Sequence, residues 1–320
     1  EALHWSGISL HGMYICAFSQ RSHHSEVIFM FKGSIPALIT PFRDNAVDFK
    51  AFDVLVERQI EAGSGALVPC GTTGESATLS HDEHRAVVKR CVEIVAGHVP
   101  VIAGCGSNST AEAIGLVAFA KEVGADAALT VCPYYNRPDQ RGLEAHFTEI
   151  ANNVELPLFL YNVPSRTSSD IQPETVAALS KHPNIIAIKD ATGDLPRVTK
   201  HLNMCADGFI QVSGDDPSAI GYNAMGGQGC ISVTANVAPK LMADIQAASL
   251  AGDFAKAREL EAMVYQLHRA LFLSPSPGPT KYALSLLGLC TPEIRLPLLT
   301  PGDGVRAEVE AAMKVAGLLD

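Results

Sequence analysis

Eight short apolar runs, each followed by a stretch of helical periodicity, organise most of this 320-residue chain. They are Ile35 to Thr40, Ala66 to Pro69, Val99 to Gly104, Ala127 to Val131, Leu158 to Val163, Ile185 to Lys189, Phe209 to Ser213 and Gly229 to Ser232. In one of them, Asn184-Ile185-Ile186-Ala187-Ile188, there is no polar alternation, the pattern of a strand buried on both faces of a parallel sheet. The stretches between carry helix punctuation. In Asp48 to Gly63, Asp48 can cap, Phe49, Phe52, Leu55, Val56 and Ile60 form a stripe, and Gly63 can terminate. Strand then helix, repeated, predicts an α/β fold with a parallel sheet, and a count of eight favours a closed (β/α)8 TIM barrel. An open doubly wound sheet is the alternative.

After the eighth run the pattern is helix alone: roughly Ala238 to Ala248, Asp253 to Phe272, Pro279 to Leu289 and Asp303 to Leu318. In the longest, Leu260, Met263, Val264, Leu267 and Leu271 share a stripe, as expected of helices packed onto a barrel. The first thirty residues follow neither pattern. Glu1 is no initiator, and Met13-Tyr14-Ile15-Cys16-Ala17-Phe18 is too short and lacks the basic start of a secretory signal. A transit peptide is one reading; Met30 as the natural start, preceded by an extension, is the preferred one. The expected organisation is an extension over residues 1–29, a barrel over 30–250 and a small C-terminal all-helical domain over 251–320.

Composition narrows the function. With 47% hydrophobic and 18% charged residues the chain can bury one large core, and its helices are too polar for a membrane. The net charge of -10, without any Lys/Arg-rich run, is wrong for a nucleic-acid partner. Eight cysteines stand singly, with no zinc spacing, which points to reduced thiols in a cytoplasm and to no metal site.

In an eight-fold barrel chemistry gathers where the strands' carboxyl ends meet. Those ends read Gly71-Thr72-Thr73-Gly74-Glu75-Ser76, Pro133-Tyr134-Tyr135-Asn136, Tyr161-Asn162-Val163-Pro164-Ser165-Arg166 and Lys189-Asp190. Lys189 is the pivot, because only a primary amine among these groups forms an imine with a ketone. Burial lowers a lysine's pKa by two to three units in documented cases, raising the nucleophilic fraction a few hundred-fold. The competing reading is a lysine paired with Asp190 or snorkelling out of the strand end. Gly71-Thr72-Thr73-Gly74 offers two glycines and two hydroxyls, suited to cradling a carboxylate, and also reads as an ordinary tight turn. It lacks the lysine of a nucleotide phosphate loop. Tyr135 and Tyr161 suit proton transfer or a core, and Arg166 suits a carboxylate clamp or a solvated loop.

Two motifs mislead. Ser80-His81-Asp82-Glu83-His84 is not a zinc-protease motif; Ser80 with Glu83 makes a capping box, and His84 heads a stripe through Val87, Val88, Cys91, Val92 and Val95. Gly226-Gly227-Gln228-Gly229 leads into a strand, whereas a dinucleotide fingerprint leaves one.

Taken together, GTTGES at Gly71, PYYNRP at Pro133, YNVPSRT at Tyr161, IIAIKDATGD at Ile185, SGDD at Ser213 and ISVTANVAP at Ile231 resemble the dihydrodipicolinate synthase family, from about Met30 to Asp320. The resemblance implies that Lys189 forms a Schiff base with pyruvate, whose enamine attacks L-aspartate 4-semialdehyde to open the diaminopimelate branch of lysine biosynthesis. It implies a hydroxyl relay of Thr72, Tyr135 and Tyr161, with Tyr161 the main proton donor and acceptor and Tyr135 supplied by a neighbouring subunit. Thr73 would hold the pyruvate carboxylate, Arg166 that of the semialdehyde, and the backbone at Gly214 and Ile231 would line the pocket. No metal or organic cofactor is implied. An inhibitory L-lysine site would comprise Ser76, Ala77, His81, His84, Asn108, Glu112 and Tyr134, in a homotetramer built as a dimer of dimers.

N-acetylneuraminate lyase and the 2-keto-3-deoxy sugar acid aldolases share the barrel, lysine and tyrosine, but have no evident use for Arg166. A catalytically silent binding relative is a further reading, against which stand the intact lysine and all three hydroxyls. Ser274-Pro275-Ser276-Pro277-Gly278-Pro279 departs from the Asn-Pro common in bacterial members, and Cys132 stands where threonine is common. The first is expected to bear on assembly or lysine response, the second to be silent.

Overall fold

The structure, a computed structural model, describes residues 31–320. The expected extension and the start at Met30 lie outside the described residues. Seven strands, β1 (Gly33–Pro36), β4 (Ile102–Gly104), β5 (Ala127–Val131), β6 (Leu158–Asn162), β7 (Ile185–Asp190), β8 (Ile210–Ser213) and β9 (Gly229–Ser232), form one sheet in the order β1-β9-β8-β7-β6-β5-β4. Every pairing in it is parallel. β2 (Phe42–Arg43) and β3 (Ala46–Val47) form a small antiparallel hairpin outside it.

The gap between β1 and β4 is filled by the second expected strand. Leu67 bridges to Val101 and Val68 to Ala37, both in parallel. Val68 N donates to Pro36 O at 3.0 Å, Leu38 N to Val68 O at 2.9 Å, and Ile102 N to Leu67 O at 2.9 Å. The eight-membered ring is therefore closed, which settles the choice between barrel and open sheet. The backbones crowd at this seam: a Cβ on Gly104 would stand 2.2 Å from the carbonyl oxygen of Cys70, so only glycine fits.

Alternation along the strands sorts the side chains into two layers. Ile35, Val68, Ile102, Leu129, Phe159, Ala187, Ile210 and Ile231 fill the barrel interior, where Phe31 meets Phe159 edge-on at 5.2 Å between ring centroids. Leu67, Ala103, Ala128, Leu160 and Ile188 face outward onto the helices. Lys189 lies two residues beyond Ala187 and Tyr161 two beyond Phe159, so both are directed inward at the carboxyl end.

The helices begin and end as their sequences dictate. In α1 (Phe49–Glu61) the Asp48 carboxylate accepts from Ala51 N, and Gly63 leaves the helix at φ +88°. In α2 (His81–Val95) Ser80 and Glu83 form the reciprocal capping box. The last four helices, α9 (Pro239–Leu250), α10 (Phe254–Ala270), α11 (Gly278–Leu286) and α12 (Asp303–Val315), enclose a second apolar cluster. Ile39 and Leu55 of the barrel share it with Val264, Leu267, Leu271, Leu284 and Met313. Of the expected stripe on α10, Met263 instead faces outward, because the helix buries only its narrower Val264–Leu267–Leu271 face.

Candidate active site

Lys189 is 6% exposed and stands beside Tyr161, its partner in the β6–β7 register. Its Nζ lies 4.1 Å from the centre of the Tyr161 ring. Among the described residues no ion pair forms on it. The neighbouring carboxylate, Asp190, points to the other side of the strand and is held by the Arg197 guanidinium, Nε to Oδ2 3.2 Å. Arg197 also meets Asp170 at 3.2 Å. Asp190 Oδ1 accepts from both the backbone and the hydroxyl of Thr192. The lysine is thus buried, packed on an aromatic face and without an ion-pair partner among the described residues.

Space around its chain is kept by Gly214. A Cβ there would come within 2.9 Å of Lys189 Cε and 2.7 Å of Ala191 Cβ. Gly214 N donates to Asp190 O at 2.7 Å, binding β8's exit to β7. Ile231, on β9 opposite Ile35, closes the interior on that side, fully buried. Thr73 is buried within the Gly71–Ser76 turn, and Gly74 O accepts from Thr40 Oγ1 at 2.7 Å.

A cavity of about 510 Å³ opens beside the Gly71–Ser76 turn, lined by Thr72, Glu75 and Ser76 of that turn. Thr72 and Arg166 line it, Arg166 carried by the one-turn helix α5 (Pro164–Thr167) that starts at Pro164. Its far wall is Ser76, Ala77, His81, His84, Glu112 and Tyr134, so six of the seven residues expected to hold L-lysine line one space. Asn108 stands beside it, with Nδ2 donating to Tyr134 O at 3.2 Å. His81 Nε2 meets Glu112 Oε1 at 3.1 Å. His84 is buried, its Nε2 2.7 Å from Gly104 O; burial lowers its pKa, and that carbonyl opposes the shift.

Tyr135 does not join the others. It is 91% exposed and held out on a left-handed backbone at φ +70°, unusual for an aromatic residue. One chain brings Lys189, Tyr161, Thr72 and Arg166 to the same end of the barrel and sends Tyr135 away from its surface.

Of the C-terminal contribution only Ser276, within the Ser274–Pro279 segment, was marked by the sequence; Arg295, Pro297 and Leu298 were not. Ser276, Arg295, Pro297 and Leu298 also line the cavity. Arg295 binds Glu83 in a fork, NH1 to Oε2 2.8 Å and NH2 to Oε1 2.6 Å. The guanidinium holds the Glu83 carboxyl down at about 2. No spacing rule connects residues 212 positions apart. Asp44 and Asn45, both at positive φ, are residue types that signal the turn of the β2–β3 hairpin.

A buried lysine with no ion-pair partner, at a strand's carboxyl end in a parallel barrel and beside a tyrosine, is an arrangement suited to the Schiff-base aldolase class. Residues 30–316 match the model of the dihydrodipicolinate synthetase family. The 4-hydroxy-tetrahydrodipicolinate synthase of Hyphomonas neptunium is 62% identical over 291 residues, covering 90% of this chain and 99% of that protein. The chloride-inhibited dihydrodipicolinate synthase of Acinetobacter baumannii, solved with pyruvate, superimposes with a TM-score of 0.88 at 45% identity over 90% of this chain and 99% of its own. The synthase of Cyanidioschyzon merolae, solved with lysine bound, does so with a TM-score of 0.88 at 37% identity over 91% and 99%. The chain belongs to the dihydrodipicolinate synthetase family, pyruvate-dependent lyases of the Schiff-base type that serve lysine biosynthesis through diaminopimelate.

Proposed function

We propose that this chain condenses pyruvate with L-aspartate 4-semialdehyde to give 4-hydroxytetrahydrodipicolinate, with Lys189 as the imine-forming amine. The observation that carries this reading is Lys189 itself: buried, relieved of Asp190 by Arg197, and packed against Tyr161. Its Nζ adds to the ketone carbon of pyruvate, and loss of water gives the imine. The Tyr161 oxygen then takes a proton from the methyl carbon, and the resulting enamine attacks the aldehyde carbon of the second substrate. Closure by the substrate's own amine on the imine carbon expels Lys189, so one water leaves overall and the enzyme is restored.

Thr72 and Tyr135 complete the proton relay, Thr73 and its turn take the pyruvate carboxylate, and Gly214 and Ile231 shape the floor. Arg166 pairs the semialdehyde carboxylate, a demand that a sugar-acid aldolase does not make. The extrusion of Tyr135 supports a homo-oligomer in which it serves a neighbour's site, with a tetramer as a dimer of dimers. The far wall of the cavity supports L-lysine as inhibitor, with Glu112 receiving its amine. The seven described cysteines are free, which supports a cytoplasmic setting. Among the described residues no helix is long and apolar enough to cross a membrane, and no cluster of three metal-binding side chains occurs.

Intact-protein mass spectrometry after pyruvate and sodium borohydride, with peptide mapping, tests the reading. One reduced pyruvate adduct on Lys189, absent from Lys189→Ala, is the expected result. An unlabelled protein, or label on another lysine, sinks it. Turnover with aspartate semialdehyde, and none with N-acetylmannosamine, then separates the synthase from the lyase.

A further inference from the structure

A second ionic assembly stands behind the Gly71–Ser76 turn, and the reaction above makes no use of it. Glu75 takes a left-handed backbone, φ +54°, and Cys70 at the other end of the turn does the same at φ +55°. Such conformations are unfavourable for residues other than glycine and persist only where surrounding structure holds them. Glu75 pairs with Lys281 of α11, the two side chains being 2% and 0% exposed. The second oxygen of Glu75 accepts from the Arg295 backbone N–H at 3.1 Å. Lys281 Nζ also donates to Glu293 O at 2.9 Å and sits 4.0 Å above the centre of the Phe42 ring. The Arg295 guanidinium lies 4.2 Å from the same ring. Beyond its fork to Glu83, Arg295 donates to Thr78 O at 3.0 Å and to Asn45 O at 2.6 Å.

Two cations from the last forty residues therefore grip both ends of the segment from Glu75 to Glu83. That segment leaves directly from Thr72 and Thr73 and carries Ser76, Ala77 and His81 into the cavity wall. A buried ion pair is a poor source of stability beside apolar side chains of the same volume, whereas breaking one by removing a single partner is costly. What such a pair supplies well is direction: Glu75 can satisfy Lys281 and the Arg295 amide together only with the turn in its present shape.

We infer that Lys281 and Arg295 are positioning residues for pyruvate, fixing through Glu75 and Glu83 the turn whose Thr73 receives the substrate carboxylate. The inference rests on the role proposed above for that turn. It concerns binding of the ketoacid, not the reactivity of the amine.

The test uses the full chain with Glu75→Gln, with Lys281→Met and with the two combined, measuring KM for pyruvate, kcat, melting temperature and borohydride labelling at saturating pyruvate. The single variants are expected to raise KM roughly ten-fold or more, kcat falling less, with Lys189 still labelled. The double variant is expected to regain the melting temperature, since no charge is left buried alone, while its KM stays high. Should a single variant fail to fold, the double variant carries the comparison. Wild-type KM in a folded Glu75→Gln overturns the inference, as does a double variant in which KM and melting temperature recover together. Absence of a Lys189 adduct from the unaltered protein overturns the Schiff-base reading, and this inference with it.

Discussion

At the scale of single residues, the site depends on what is kept away from Lys189 as much as on what touches it. Asp190 is drawn off by Arg197, and Gly214 leaves the side chain a channel. Gly214→Ala would force Lys189 Cε or Ala191 to move by several tenths of an ångström. Reacting groups displaced on that scale lose rate steeply, so imine formation slower by roughly ten- to hundred-fold is expected. The fold should lose only about 1–3 kcal/mol, the ordinary cost of overpacking. Timed borohydride trapping checks the first and thermal unfolding the second; an unchanged trapping rate would show that the channel has slack. The lysine's position was legible because an apolar run ends on a charge. Its freedom from Asp190 was not, since Arg197 becomes a partner only once the helix α7 (Pro196–Met204) folds back onto β7.

At the scale of elements, local signals spoke plainly where local physics rules. The capping box at Ser80 and Glu83 and the Asp48 cap formed as their spacing requires. The second strand was legible as an apolar run, although it touches its neighbours through only one bridge on each side. Glu83 was read as a cap alone; its second duty toward Arg295 depends on tertiary folding. The cavity wall is likewise assembled from different elements, α2, the helix α3 (Thr110–Glu122) and the Tyr134 loop. An effector amine placed there meets Glu112 beside His81. Millimolar L-lysine is expected to lower the initial rate, and Glu112→Gln to raise the half-inhibitory concentration about ten-fold or more by removing a charge-assisted contact, with KM for pyruvate unaltered. A rate indifferent to lysine would remove the effector assignment.

At the scale of the whole molecule, the single chain is an incomplete enzyme if Tyr135 works in trans. Mixing two inactive proteins checks this: Lys189→Ala supplies a sound Tyr135, and Tyr135→Phe supplies a sound Lys189. Random reassociation into dimers should restore about a quarter of the wild-type sites, because each mixed dimer holds one complete set. Failure to recover activity after subunit exchange would place Tyr135 in its own chain's site or outside the relay. The barrel was legible from the eight-fold count, and the helical tail from the loss of strand signals. The core shared by Ile39, Leu55 and the final helices was not, since a stripe on a helix does not say what it meets.

The Glu75–Lys281 contact also sets an order of events in time. Synthesis runs from the amino terminus, so the turn at Thr72 and Thr73 leaves the ribosome some two hundred residues before its counter-charge exists. A nascent barrel holds at Glu75 a carboxylate with no cation to receive it, and the turn stays unset while the chain is still being made. On the role inferred for that turn, pyruvate binding would be completed by residues translated long after Thr73. On that reading a chain cut short ahead of Lys281 would contain Lys189, Tyr161 and Thr72 and still lack the cation that sets the turn at Thr73.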